Sequence, residues 1–230
     1  MNEKVNLLYE DESVKLYQGD CRDLELESGS IGTVITGFPY VEERANELEL
    51  LKDMAHKLDR FLCAQGIFVN TNTDLRKAPT IRLRHLDILN AFVEANFVLY
   101  DYRIWDKEFG HDLYRIAFSH ILAFHKDIHS RIKRNLLTDD ILHGKAFMFG
   151  KYHDANSHAV TRKLIEIYSD EGDTIYDPFV GSGTLLLEAR NLGRKAIGIE
   201  LEVEIAQLAL KRIKEDSNIR KLGGNNIYQG

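Results

Sequence analysis

The chain has 230 residues, of which 44% are hydrophobic and 29% charged, with a formal net charge of −6. This composition is typical of a soluble globular protein, and the length suits a single domain over residues 1–230. No apolar run is long enough to span a membrane and the N-terminus does not resemble a signal peptide, which predicts a cytoplasmic protein. Cys21 and Cys63 have the spacing of neither a zinc site nor a disulfide framework, so we expect no metal.

The hydrophobic pattern predicts strands that alternate with helices. The predicted strands cover residues 14–19, 31–36, 67–70, 97–105, 116–124, 174–176 and 195–199. The predicted helices cover residues 48–62, 81–95, 157–169 and 203–215, and another begins at Leu185. This alternation predicts an α/β fold, with a mostly parallel sheet and helices on both faces. Strands 97–105 and 116–124 have no helix between them, which predicts an antiparallel hairpin at a sheet edge.

The most informative stretch covers residues 172–200 and reads GDTIYDPFVGSGTLLLEARNLGRKAIGIE. A strand, a glycine-containing turn and a helix start form the first half of a nucleotide-binding βαβ unit. Gly181 and Gly183 let the backbone approach a ligand, which the free N–H groups of the helix start would face. The alternative is a tight turn without function. A nicotinamide-type loop would need a third glycine and a P-loop would need a lysine, and neither is present.

DPFVGSGT followed by GRKAIGIEL resembles the S-adenosylmethionine-binding motifs of amino-group DNA methyltransferases. The resemblance implies the Rossmann-like methyltransferase fold, with Asp177 and the loop backbone at the methionine part of S-adenosylmethionine. Glu200, about 20 residues past the loop, would bind the ribose hydroxyls. Asp20, after LYQG, would contact the adenine amine. The full set of implied cofactor-binding residues is Asp20, Asp177, Pro178, Phe179, Gly181, Ser182, Gly183, Thr184 and Glu200.

A second motif of this family follows predicted strand 31–36, where the chain reads GFPY. The family has Asp, Asn or Ser at the first position, then two prolines and an aromatic residue. The resemblance implies a catalytic loop of Gly37, Phe38, Pro39 and Tyr40. The target base would flip out of the duplex and stack on Tyr40, while its amine donates a hydrogen bond to the Phe38 carbonyl. Gly37 departs from the motif because it has no side chain to act as a second acceptor.

This departure leaves three interpretations open. In the first, the enzyme uses a substitute acceptor, for which Thr36, Glu42 and Glu43 are the candidates, or it acts on a different substrate. In the second, the chain is a pseudo-methyltransferase that binds nucleic acid or supports an active partner. In the third, GFPY is a plain turn and Tyr40 is a half-buried core aromatic residue.

The order of the motifs bears on the substrate. GFPY precedes the cofactor loop, as in the permuted, β-type DNA methyltransferases, whereas RNA guanine methyltransferases with a similar loop have the opposite order. The resemblance therefore implies DNA methylation at N4 of cytosine or N6 of adenine, with an RNA base as the alternative.

Residues 126–156 are predicted to be a short irregular insert, at the place where the permuted class has its target-recognition region. Its cluster of positive residues is predicted to contact DNA, although a solvated loop is the alternative. The cluster consists of Arg131, Lys133, Arg134, Lys145 and Lys151. Because the insert is short, we expect modest specificity, dimerisation or a partner subunit.

Overall fold

The computed structural model describes residues 4–77, 79–108, 116–126, 139–145, 147–149, 152–155 and 157–221. Within them, nine strands form one sheet and two short hairpins lie outside it. The sheet contains β1 (Val5–Glu10), β2 (Val14–Gly19), β3 (Ile31–Thr36), β4 (Leu62–Asn72), β7 (Val98–Asp106), β8 (Phe118–His125), β9 (Ile141–His143), β12 (Thr174–Asp177) and β13 (Lys195–Glu200). The hairpins pair β5 (Leu75–Lys77) with β6 (Thr80–Arg82), and β10 (Phe147–Phe149) with β11 (Tyr152–Ala155).

Helices cover both faces of this sheet, as predicted. They are α1 (Arg44–Phe61), α2 (Arg84–Glu94), α3 (His158–Tyr168), α4 (Thr184–Asn191) and α5 (Val203–Lys221). One core, rich in phenylalanine, lies beneath α1 and α2, and a second, mainly aliphatic core lies beneath α3, α4 and α5. No helix in the described ranges is both long and apolar enough to cross a bilayer.

The strand order is β1-β2-β13-β12-β3-β4-β8-β7-β9. The five neighbours from β2 to β4 are parallel, and β8 then runs antiparallel to both β4 and β7. The predicted parallel sheet and antiparallel hairpin are therefore confirmed, although β9 lies outside the hairpin and forms the edge. Because the central strands are parallel, the loops that follow β2, β3, β12 and β13 all lie at one edge of the sheet, where ligands bind in such folds.

Several elements differ from the prediction. The helix predicted over residues 81–95 begins only at Arg84, because residues 80–82 pair with residues 75–77 as a small hairpin. Strand β1 was not predicted; it pairs antiparallel with β2 at the far edge. The stretch 126–156, predicted to be irregular, contributes strands β9, β10 and β11 in its described parts.

Candidate active site

The two predicted functional loops meet at the carboxyl ends of adjacent strands. GFPY follows β3 and DPFVGSGT begins at the end of β12, and these strands pair in parallel. The Thr36 hydroxyl donates a 2.6 Å hydrogen bond to Asp177 Oδ1, which joins the two loops directly. The structure thus brings together the motifs that the sequence separates by about 140 positions.

Asp177 is the first residue of the DPFVGSGT segment, residues 177–184, and its side chain is buried. We call this segment the cofactor loop, or glycine loop, after its predicted role. Asp177 Oδ1 also accepts a 3.0 Å hydrogen bond from the Phe179 backbone N–H. Burial opposes the charged form and raises the pKa of Asp177 to about 7, although these two hydrogen bonds act in the opposite direction. A carboxyl group with this pKa is partly protonated near neutral pH, and a positive charge beside it would favour the ionised form. S-adenosylmethionine carries such charges on its sulfonium and its ammonium.

The glycine loop has the backbone that a bound cofactor requires. Gly181 and Gly183 have φ values of +55° and +84°, in the left-handed region that favours glycine. Gly183 is the N-cap of α4, and no side chain caps this helix start, so its N–H groups can face a ligand. A Cβ on Gly181 would meet no atom within 4 Å, which shows open space above the loop. These features fit a cofactor held by the backbone.

Of the two predicted cofactor acids, Glu200 ends β13 and Asp20 directly follows the neighbouring strand β2, and both already have partners. Glu200 Oε2 accepts a 2.8 Å hydrogen bond from the Gly181 N–H, which fixes the acid against the glycine loop. Asp20 forms a bidentate ion pair with Arg22, with Nη2 2.6 Å from Oδ2, and its pKa is lowered mainly by this contact. Carboxylate oxygens accept more than one hydrogen bond, so both side chains remain able to contact a ribose or an adenine amine.

A buried polar network supports the glycine loop from behind. Arg212 of α5 donates to the Ser182 carbonyl and to Thr184 Oγ1. His158 Nδ1 lies 2.7 Å from Glu188 Oε1, and Glu188 is fully buried in α4. His158 is therefore part of the structural support of the loop.

The GFPY loop is anchored by its second residue. The Phe38 ring is 5% exposed and packs 5.1 Å from the Phe179 ring, so an aromatic contact joins the two loops where the family has proline. Buried Arg84 donates from Nη2 to the Phe38 carbonyl at 3.2 Å and to the Pro39 carbonyl at 2.8 Å. Arg84 is itself paired with Glu47 Oε1 at 2.6 Å. Sequence reasoning missed Arg84 and Glu47, because nothing in the sequence indicates that they are partners.

Tyr40 projects from this anchored loop with 54% of its surface exposed. A half-buried core role for Tyr40 is therefore not what the structure shows. Among the substitute acceptors, Thr36 is 2% exposed and directs its hydroxyl to Asp177, while Glu42 and Glu43 lie on the exposed approach to α1. Gly37 itself lies against Thr71 of β4, whose carbonyl would be only 3.0 Å from a Cβ at position 37.

A cluster of two histidines and a carboxylate lies just beyond β4. His85 Nδ1 is 2.8 Å and His120 Nε2 is 3.1 Å from Asp74 Oδ2, distances that would suit ligands of one metal ion. However, the imidazole rings stack with centroids 3.9 Å apart and planes inclined by only 21°. Imidazole binds a metal through a lone pair in its ring plane, and nearly parallel planes do not direct two lone pairs to one ion. We therefore interpret this group as a hydrogen-bonded cluster.

The predicted DNA-binding cluster falls largely outside the described residues. Arg131, Lys133, Arg134 and Lys151 lie outside them, whereas Lys145 is described and its side chain is exposed after β9. Contact between this cluster and DNA stays a prediction.

Comparison with known proteins identifies the family. Residues 40–211 match the family model of N6/N4 methyltransferases that is described as DNA methylase. The match covers more than half of the sequence, and the chain belongs to this family of amino-group DNA methyltransferases.

Individual relatives agree with this assignment. Type II methyltransferase M2.DpnII of Streptococcus pneumoniae is 40% identical over 68 residues, which are 30% of this chain and 25% of that protein. Type II methyltransferase M.BglI of Bacillus subtilis is 30% identical over 140 residues, or 53% and 40% of the two chains. The chain thus spans less than half the length of these relatives.

Solved structures share the fold. The PvuII DNA methyltransferase, which is cytosine-N4-specific, superposes with a TM-score of 0.79 over 96% of both chains at 17% identity. TTHA0409 from Thermus thermophilus, complexed with S-adenosyl-L-methionine, superposes with a TM-score of 0.73 over 87% of this chain and 93% of that one, at 23% identity.

Proposed function

We propose that this protein uses S-adenosylmethionine to methylate an exocyclic amine of a DNA base, at N4 of cytosine or N6 of adenine. The observation that carries this proposal is the 2.6 Å hydrogen bond between Thr36 and Asp177, because it places the GFPY loop beside the cofactor loop. In-line methyl transfer requires the amine and the methyl donor to be held side by side. Family membership supports the same reaction.

The cofactor would lie across the ends of β12, β13 and β2. Backbone N–H groups of Gly181 to Thr184 and the Asp177 carboxylate would hold its methionine part, with Pro178 and Phe179 shaping the turn. Glu200 would accept hydrogen bonds from the ribose, and Asp20 from the adenine amine. When bound, S-adenosylmethionine supplies a methyl group on a positively charged sulfur, which keeps the electron pair of the broken C–S bond.

The target base would lie over the GFPY loop. Exposed Tyr40 offers a ring on which a flipped base can stack, a contact worth roughly 1–3 kcal/mol. The Phe38 carbonyl keeps one lone pair beyond its bond from Arg84, and it would accept one amine hydrogen. The amine lone pair then forms the new N–C bond, and the proton displaced from nitrogen passes to water.

The absence of a side chain at Gly37 favours a second candidate function. A pseudo-methyltransferase would keep the cofactor loop but transfer no methyl group, and it would bind nucleic acid or support an active subunit. DNA as the substrate, a homodimer or partner subunit, and a cytoplasmic location all stay predictions.

The first experiment is to incubate purified protein with radiolabelled S-adenosylmethionine and mixed-sequence DNA, in parallel with RNA. We expect label on DNA, and nucleoside mass spectrometry then distinguishes N4-methylcytosine from N6-methyladenine. Glu200→Ala should weaken cofactor binding, whereas Tyr40→Ala should slow transfer by roughly tenfold or more at unchanged cofactor affinity. Cofactor binding without transfer to either polymer would contradict the proposal and favour the pseudo-methyltransferase.

A further inference from the structure

Gly37 raises the question of which group replaces the missing side-chain acceptor. The amine of a base is a weak nucleophile, and acceptors for both of its hydrogens favour the geometry that attacks the methyl group. The Phe38 carbonyl can take one hydrogen. The Thr36 hydroxyl is buried and directed to Asp177, and Glu42 and Glu43 are exposed at the start of α1. A protein that transfers a methyl group to such an amine would therefore need another acceptor closer to position 37.

Strand β4 carries a candidate acceptor next to position 37. Thr36 pairs with Asn70 in the parallel register of β3 and β4, so Gly37 and Thr71 are next to each other. A Cβ at position 37 would lie 3.0 Å from the Thr71 carbonyl and 3.4 Å from Thr71 Oγ1. The first distance leaves too little room for a side chain without a shift of β4. The second shows that a hydroxyl lies in contact with the position where the family side chain would begin.

The Thr71 hydroxyl is also available to accept. Within the described part of the chain we find no hydrogen bond of this hydroxyl, although the side chains of Asn70 and Asn72 on either side of it are bonded. By contrast, the neighbouring Thr73 hydroxyl bonds to Lys107 Nζ and to Ser119 Oγ. Thr71 is 7% exposed, at the end of β4 that adjoins the GFPY loop. A hydroxyl oxygen offers two lone pairs to a donor.

We propose that Thr71 Oγ1 is the side-chain acceptor for the target amine, supplied by strand β4 in place of residue 37. This inference rests on the proposed methyl transfer. One amine hydrogen is donated to the Phe38 carbonyl and the other to Thr71 Oγ1. The nitrogen lone pair attacks the methyl carbon, the C–S pair stays on sulfur, and the surplus proton leaves to water. Thr71 binds and orients the amine and does not itself take the proton.

The test is single-turnover methylation of DNA by wild type, Thr71→Val and Thr71→Ser. Valine has the shape of threonine without the hydroxyl, so we expect the rate to fall roughly 10- to 100-fold with unchanged affinity for S-adenosylmethionine. Serine keeps the hydroxyl and should stay within a few-fold of the wild-type rate. The Thr33→Val protein is a matched control, because the Thr33 hydroxyl is also buried but donates to the Tyr168 carbonyl, away from the loop.

Each result supports or contradicts the role of Thr71 as an acceptor. Thr71→Val turning over at the wild-type rate, or Thr71→Ser as slow as valine, would overturn the role of Thr71 and leave the proposed function intact. If Thr71→Val does not fold, Thr71→Cys takes its place, since sulfur is a weak acceptor and the rate should fall in the same way. A wild-type protein that labels no DNA would overturn both proposals.

Discussion

At the scale of single residues, the buried Asp177 makes the stability of the fold depend on pH. Its pKa is raised to about 7 from an ordinary value near 3.8, so the folded protein keeps this proton at a pH where the unfolded chain has lost it. The raised pKa therefore adds its full contribution to the free energy of unfolding below about pH 4, and this contribution is lost as the pH rises toward 7. Burial stabilises the neutral form of Asp177, whereas a cation bound beside the carboxyl group would stabilise its ionised form.

We therefore expect the affinity for S-adenosylmethionine to rise with pH up to about 7, by as much as about tenfold per unit. Isothermal titration calorimetry between about pH 5.5 and about pH 8.5, a range that brackets the ionisation, measures this slope. Asp177→Asn is the control, because it removes the titrating group while the titration of the cofactor itself is unchanged. If the logarithm of the affinity had the same slope against pH in both proteins, Asp177 would not ionise on binding.

The loop residues show what sequence can and cannot predict at this scale. GFPY and DPFVGSGT are local strings, and their positions after β3 and β12 follow from the strand prediction. That Phe38 packs on Phe179, or that Gly37 lies against Thr71, depends on which strands become neighbours. A local pattern carries no information about such contacts.

At the scale of elements, a buried ionic network connects α1 and α2 to the GFPY loop. Glu47 of α1 is 1% exposed and contacts both Arg82 and Arg84, while Arg84 also donates to two loop carbonyls. Removal of one partner from a buried ion pair leaves an uncompensated charge, which costs more than the pair contributes. The geometry of the GFPY loop is thus maintained by side chains of α1 and α2.

Arg84→Met should lower the free energy of unfolding by about 3 kcal/mol, because Glu47 then lacks one of its two cationic partners and the loop loses its donor. Urea denaturation measures the change. Arg44→Met is the matched control: Arg44 pairs with Asp87 in the same region, but its side chain is 64% exposed, and we expect a much smaller loss. Similar losses in the two variants would contradict a special role for the buried pair.

The elements themselves were predicted with uneven success, for physical reasons. β2 and β3 are confirmed to the residue, since their patterns reflect burial in a sheet. Residues 81–83 were predicted to begin a helix, yet residues 80–82 pair with residues 75–77 in a hairpin, and Ile81 and Leu83 are both exposed. Gly198 shows a further limit: a Cβ there would be 2.2 Å from Val180, so close packing of β13 on the cofactor loop requires glycine.

At the scale of the whole molecule, the predicted DNA-contacting insert over residues 126–156 is short and offers few side chains to read bases. The predicted DNA-contacting residues lie mainly between 131 and 151, in a protein whose net charge is −6. Affinity for DNA would therefore depend on this positive stretch, since contacts to phosphates release bound counterions and make binding depend on salt.

We expect that replacing Arg131, Lys133 and Arg134 with alanine weakens DNA binding at low salt and reduces its salt dependence. If each of these residues contacts a phosphate, the slope of log K against log salt concentration should become shallower by about 2 to 3 units. Fluorescence anisotropy with labelled duplex DNA measures the slope. The control replaces Lys52, Lys195 and Lys214, which are exposed on α1, β13 and α5, and removes the same charge.

The two triple variants separate local contact from overall charge. Net charge changes equally in both, so a shared loss of affinity with an unchanged slope would mean that the basic stretch is a solvated loop. A shallower slope in the first variant alone would place DNA against residues 131–134. Affinity for S-adenosylmethionine is the control for folding: we expect it to be the same in both variants if each retains the fold.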